Sequence, residues 1–289
     1  MKLIDIHSHW GTERGYVLRT AGELAQQKKT WNSEVRYHTD QEMADYFRAT
    51  EAKVILDFGF TKYAPMDEVI PLHDYALNTT RQHADVILGN WFHLDPILHK
   101  EAGLAELRRC IDKRVGFVGF AVNGSGSVPA SDPSYDPFYK LCIDANIPTL
   151  IFVGTTGLGA GMPGGMGILL DSCHPRHLDF VAARYPDLRI VAARPGWPWQ
   201  TETIAVLMHK RNIYYELHGW SPKYFAPDLK HDISRRLKDR IMFGGDYPLY
   251  TYERLVSEWR SEGYSEQILQ KVFVDNARKF FSDMGASWI

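Results

Sequence analysis

Short β-rich runs alternate with longer helical stretches from one end of this chain to the other, and that alternation leaves few folds open. The runs are 3–7, 53–58, 85–92, 117–122, 149–153, 189–194, 213–218 and 240–245. Strands joined by crossover helices must run parallel. Eight such units in 289 residues predict a single-domain α/β protein over 1–289, a (β/α)8 TIM barrel. A doubly wound open sheet is the rival fold, and no Gly-x-Gly-x-x-Gly turn after the first run supports it. Local signals agree with the alternation. Thr39-Asp40-Gln41-Glu42 reads as a capping box at a helix start. The helical run from His177 to Arg184 stops at Tyr185-Pro186, as a helix before a strand often does.

Two connections exceed ordinary loop length: Trp10 to His38 after strand one, and Gly154 to Ser172 after strand five. Long connections inside compact domains are usually lids or binding loops. Both leave the carboxyl ends of strands, where barrels keep their chemistry. The second, Gly154 to Gly167, is glycine-rich but lacks Gly-Lys-Ser/Thr, so it is no nucleotide P-loop. It reads as a flexible lid, with an amide nest for an anion as the alternative.

Parallel strands gather their terminal side chains around one mouth. Strand one offers His7 and His9, two residues apart and therefore on one face. Such a pair can hold one metal ion or one substrate. Strand six offers Arg194, strand seven Glu216 and His218, and strand eight Asp246. Asp5 lies beside His7 by strand alternation and is expected to orient it. His174 and His177 flank Pro175 near the glycine-rich loop, where surface or capping roles are the commoner ones. Trp10, Trp91, Trp197, Trp199 and Trp220 lie near strand ends. Two of them facing the mouth would suit a ring-bearing or extended planar substrate.

Bulk properties narrow the partners. A formal charge of −2 gives no basic footprint for nucleic acid. No apolar run approaches a membrane span, and a strand follows Met1 at once where a signal peptide would stand. Cys110, Cys142 and Cys173 are odd in number and lack CxxC spacing, so buried thiols in a reduced, cytoplasmic protein are expected.

His7-Ser8-His9 on strand one, Gly244-Gly245-Asp246-Tyr247-Pro248 on strand eight and the eight β/α units resemble the amidohydrolase superfamily. The resemblance is closest to its amidohydrolase-related branch, which includes aminocarboxymuconate-semialdehyde decarboxylase. Tyr185-Pro186-Asp187-Leu188 and Arg194-Pro195-Gly196-Trp197-Pro198-Trp199 add to it. The likeness implies an enzyme with one divalent metal, zinc expected, on His7, His9 and Asp246. It also exposes two departures. The family's strand-five histidine falls on Phe152, which cannot ligate, and its strand-six histidine falls on Arg194, which cannot act as a base at neutral pH. His218, then His174 and His177, are the candidate replacement ligands. The same departures leave a metal-free route open, as in lactonases of the superfamily, with Asp246 deprotonating water while the histidines and an arginine polarise the carbonyl.

The main expectation is therefore a hydrolase of an ester, lactone or thioester in a small carboxylated molecule. In it Asp246 activates water, Arg194 binds negative charge and His218 handles the leaving group's proton. The alternative is non-oxidative decarboxylation of an aromatic or muconate-like acid, against which loss of the strand-six histidine counts, since a carbon must be protonated. A non-catalytic binding barrel is the further alternative. Barrels of this branch often pair, so a homodimer is the expected assembly.

Overall fold

In the computed structural model, which describes residues 2–16, 21–31 and 36–285, eight parallel strands follow one another in a single sheet in sequence order. They are β1 Leu3–Ser8, β2 Ala52–Phe58, β3 Ile87–His93, β4 Phe117–Val122, β5 Thr149–Phe152, β6 Ile190–Ala193, β7 Ile213–Glu216 and β8 Ile241–Met242. Nearly every strand residue is buried, as parallel strands covered by helices on the outside and packed side chains within must be. The expected single-domain barrel is the fold observed.

The helices form where the sequence signals them. In α2, Asp40–Ala49, the Thr39 hydroxyl accepts the Glu42 amide at 3.1 Å while the Thr39 amide donates back to Glu42 Oε2 at 2.8 Å. In the helix Pro175–Arg184, the His174 ring caps the start by accepting the Arg176 amide, and Tyr185-Pro186 closes the end. The connection after β1 is more than a loop: it carries α1, Ala21–Trp31. Residues 17–20 and 32–35 of that connection lie outside the described residues. The connection after β5 holds two short 3-10 turns, Pro163–Gly167 and Leu170–Cys173. The two insertions touch where Gln26 Nε2 donates to the Gly161 carbonyl at 3.2 Å.

β8 is shorter than the run 240–245 implied. The reason is barrel closure. Beyond Met242 the backbone turns from β7 toward β1: Ile6 N donates to Phe243 O at 3.1 Å, Asp246 N to His7 O at 2.8 Å and His9 N to Tyr247 O at 2.7 Å. Asp5 fastens the seam. Its Oδ1 accepts the amides of His7 and Gly245, both at 2.9 Å, and its Oδ2 accepts the hydroxyls of Ser8 at 2.5 Å and Tyr252 at 2.6 Å. Asp5 therefore holds the backbone of His7, and its ring is oriented by other groups. Burial pushes the Asp5 carboxyl above its ordinary value although these four bonds oppose the shift.

Asp5→Ala leaves four buried donors without their acceptor, each worth about 1–3 kcal/mol when stranded, part of it recovered by removing a buried charge. The expected loss is about 3–5 kcal/mol in urea unfolding, with Asp5→Asn milder. A loss below about 1 kcal/mol would remove Asp5 from the closure argument.

Candidate active site

The barrel mouth collects residues from the ends of five strands. β1 contributes His7 and His9. β2 contributes Asp57, β3 His93, and the turns after β7 and β8 carry His218 and Asp246. Beneath His218 lies Glu216, the last residue of β7. All seven of these side chains are buried except His9, which keeps a small exposed edge. Gly244 and Gly245 make room for them. A Cβ at 244 would collide with the Glu216 carboxylate, and one at 245 would lie 2.6 Å from Asp5 Oδ2.

The histidines are oriented from behind. His9 Nδ1 lies 3.0 Å from the Asp57 carbonyl, which can only accept, so this nitrogen carries the hydrogen and donates it. Nε2 is then directed at Asp246 Oδ1, 3.1 Å away. His218 Nδ1 donates to Glu216 Oε1 at 2.5 Å, and its amide donates to Oε2 at 2.8 Å. Its Nε2 is left as an acceptor, and Arg194 Nε donates to it at 3.4 Å. His93 Nε2 donates to Asp57 Oδ2 at 2.8 Å. His7 stacks face to face on His218, centroids 3.4 Å apart. Its nitrogens look at two carboxylates over longer distances, Nδ1 at Glu216 (3.4 Å) and Nε2 at Asp57 (3.7 Å).

Charge follows from these contacts. Burial opposes a proton on His7, yet Glu216 and Asp57 on either side raise it from 6.5 to about 9. Burial likewise opposes ionising Glu216, but His218 and His7 bring it down to about 2. Asp246 is held well below the usual carboxylate range against burial, by the bond from His9 and the nearby imidazoles, and Asp57 likewise by His93 and His7. Burial keeps His218 and His93 below the ordinary histidine value. Three anionic carboxylates thus face one imidazolium and one guanidinium. Arg194 and Asp246, both at the rim, take left-handed backbone with φ of 74° and 53°. Such conformations cost ~1–3 kcal/mol and persist where neighbouring contacts impose them, commonly at functional sites.

These residues fit a divalent cation. One ligand atom each from His7, His9 and Asp246 lie within 4.8 Å of one another. His9 presents a lone pair on Nε2 because its other nitrogen is committed, the arrangement usual for a ligating histidine. His7 Nδ1 is buried without a hydrogen-bond partner, and the excess of carboxylate favours added positive charge. Phe152 stands where a further ligand would be, its ring 5.6 Å from those of His7, His93 and His218, with the Arg194 guanidinium 4.7 Å above it. Arg194 also donates to the Thr155 carbonyl at 3.0 Å.

His7, His9, Arg194, Glu216, His218 and Asp246 are brought together as the strand-end argument expects. His174 and His177 are not: one caps a helix and pairs with Glu202 at 3.2 Å, the other bonds Ser131 and the Asp171 carbonyl. The sequence argument missed Asp57 and His93. Their signal was present, a carboxylate ending the apolar run Val54-Ile55-Leu56-Asp57 and a histidine one residue past the expected end of strand three. Trp10 and Trp91 are core; Trp197 is half exposed.

The amidohydrolase family model matches residues 4–282. The chain belongs to that family, a family of enzymes. A search among curated proteins found no match to the sequence. Among solved structures, the chain is similar to a 2,6-dihydroxybenzoate decarboxylase from Rhizobium (16% identity, 98% of this chain and 99% of that one, TM-score 0.71). It is also similar to a 5-carboxyvanillate decarboxylase from Novosphingobium aromaticivorans complexed with manganese (18% identity, 97% and 96%, TM-score 0.70). A third is a probable 2-pyrone-4,6-dicarboxylic acid hydrolase from Acinetobacter baumannii (14% identity, 98% and 100%, TM-score 0.60). At these identities the likeness shows the fold.

The charge pattern sets how stability of the metal-free protein depends on pH. His7, raised to about 9 from 6.5, contributes fully below 6.5 and loses that contribution as pH climbs through 9. Glu216, lowered to about 2 from 4.5, contributes above 4.5 and loses it as pH falls toward 2. Because His218 and His93, held below the ordinary value, add stability as pH rises toward 6.5, thermal unfolding of chelator-treated protein is expected to peak near 6.5, and Glu216→Gln should flatten the alkaline decline. A midpoint that rises between 6.5 and 9 contradicts the assignment.

Proposed function

We propose that this enzyme removes the carboxyl group of an aromatic or muconate-like acid, with one divalent cation held by His7, His9 and Asp246. The observation that carries the reading is the contact between His9 and Asp246 at the rim, Nε2 to Oδ1 at 3.1 Å. With His9 Nδ1–H fixed on a carbonyl, Asp246 meets Nε2 through Oδ1 and keeps a second carboxylate oxygen through which a proton can pass. Loss of the strand-six histidine therefore does not leave the site without an acid. Two of the structural neighbours being aromatic-acid decarboxylases supports the same choice over hydrolysis.

Arg194 has five N–H groups and spends two on Thr155 and His218, so donors remain for a substrate carboxylate or phenolate. Phe152, with Phe60 and Tyr16 beside His9, supplies apolar walls for a planar ring. Asp246 relays a proton from solvent to the carbon bearing the carboxylate. The carbon–carbon bond then breaks, its electron pair stays on the ring carbon, and carbon dioxide leaves. Solvent restores the proton. His218, its tautomer fixed by Glu216, accepts from Arg194 and keeps the guanidinium aimed at the substrate. Bound there, the cation would supply Lewis acidity toward a substrate oxygen. Zinc suits two imidazoles and a carboxylate, and manganese is the rival on the same donors. Three free buried cysteines suit a reduced, cytoplasmic setting.

A second reading keeps the same residues. Asp246 is held strongly anionic, which suits removal of a proton from water and hence hydrolysis of a lactone or ester.

Carbon dioxide release from a panel of hydroxybenzoates and muconate-type acids separates the two. The expected result is release, lowered about 10²–10⁴-fold by Asp246→Asn, with near-stoichiometric zinc or manganese by elemental analysis. Turnover of lactones with no carbon dioxide from any acid would move the site to hydrolysis. Full activity in Asp246→Asn would end both.

A further inference from the structure

Two tryptophans at the rim are unused by the chemistry above. Trp197 follows Arg194 by three residues, and Trp220 follows His218 by two, so both belong to the turns that leave β6 and β7 at the rim. Their ring centroids are 5.9 Å apart at 37°. Trp197 leaves 47% of its surface in solvent, an unusual outlay for the largest apolar side chain. Its backbone, however, is fixed. The Thr155 amide donates to the Trp197 carbonyl at 2.8 Å, and Thr155 in turn accepts from Arg194. Gly154, with φ +82°, packs so closely on this turn that a Cβ would lie 2.6 Å from the Gly196 carbonyl carbon. Trp220 is partly buried against the core.

An exposed ring on a rigid turn is a preorganised platform: a ligand covering it gains apolar contact and orders little. We infer that Trp197 and Trp220 form an aromatic subsite for a second planar group of the substrate, which is therefore a carboxylate carrying two fused or linked rings. The inference rests on Arg194 anchoring the carboxylate, as in the proposed function. The occupant is the substrate because the platform is continuous with Arg194 through Thr155.

Binding tests this without turnover. Salicylate and a hydroxynaphthoate are titrated into the full-length protein, read by calorimetry and by quenching of tryptophan emission. The expected result is about tenfold or more tighter binding of the two-ring acid. Trp197→Ala should erase that advantage while leaving salicylate affinity within about twofold. Trp220→Phe, which keeps a ring in the partly buried position, should shrink it less. Arg194→Met should weaken both acids alike. Equal wild-type affinities, or a preference that survives Trp197→Ala, overturn the subsite. So does failure of both acids to bind, since the anchor is then absent. If the preference holds but neither acid loses carbon dioxide, the subsite stands and the decarboxylation reading falls.

Discussion

A single buried carboxylate decides whether this barrel has an active site at all. Asp5 takes two backbone amides and two hydroxyls, one amide from the segment after β8 and one hydroxyl from Tyr252. Those bonds join the first strand to the last, 240 residues away in sequence. Without that seam, Asp246 has no reason to lie beside His9. The cost is visible in the raised Asp5 value. A buried carboxylate is retained where four donors would otherwise have no partner.

Above the seam the site is organised by charge. Asp57 and Glu216 flank His7, and each also fixes a second histidine, His93 and His218 respectively. The pattern alternates imidazole and carboxylate around the mouth, so each ring has one nitrogen decided by its neighbour. That is the requirement for a group that must present a lone pair in one direction. It also accounts for Phe152. With a ring on β5 beside His7, His93 and His218, the donors that could hold a cation there are His7, His9 and Asp246. Arg194 sits on that ring, its guanidinium 4.7 Å from the centroid, and places a positive charge there.

Much of this was legible in the residues. Eight alternating units gave the barrel, and strand ends gave His7, His9, Arg194, Glu216, His218 and Asp246 as neighbours, because parallel strands share one rim. What could not be read was direction. Asp5 looked like a partner for the His7 ring and instead holds its backbone. That depends on the closing geometry of β8, which ends at Met242 because Phe243, Gly245 and Asp246 turn their amides elsewhere. Asp57 and His93 escaped for a different reason. Single polar residues closing apolar runs look like ordinary strand ends until a neighbouring strand shows what they face.

The replacement of the β6 histidine by arginine then has a physical sense beyond the loss of a base. A histidine there would place a third titrating imidazole against His7 and His218, already stacked at 3.4 Å, where a further proton is hard to accommodate. Arginine keeps its charge, donates to the His218 lone pair and so withdraws that ring from competition for protons. His9 and Asp246 are left as the one such pair at the seam, 3.1 Å apart. Because the Asp5 network holds the backbone on both sides of that pair, the element that closes the barrel also sets the distance between them. Fold closure and the geometry of the candidate site are one constraint in this chain.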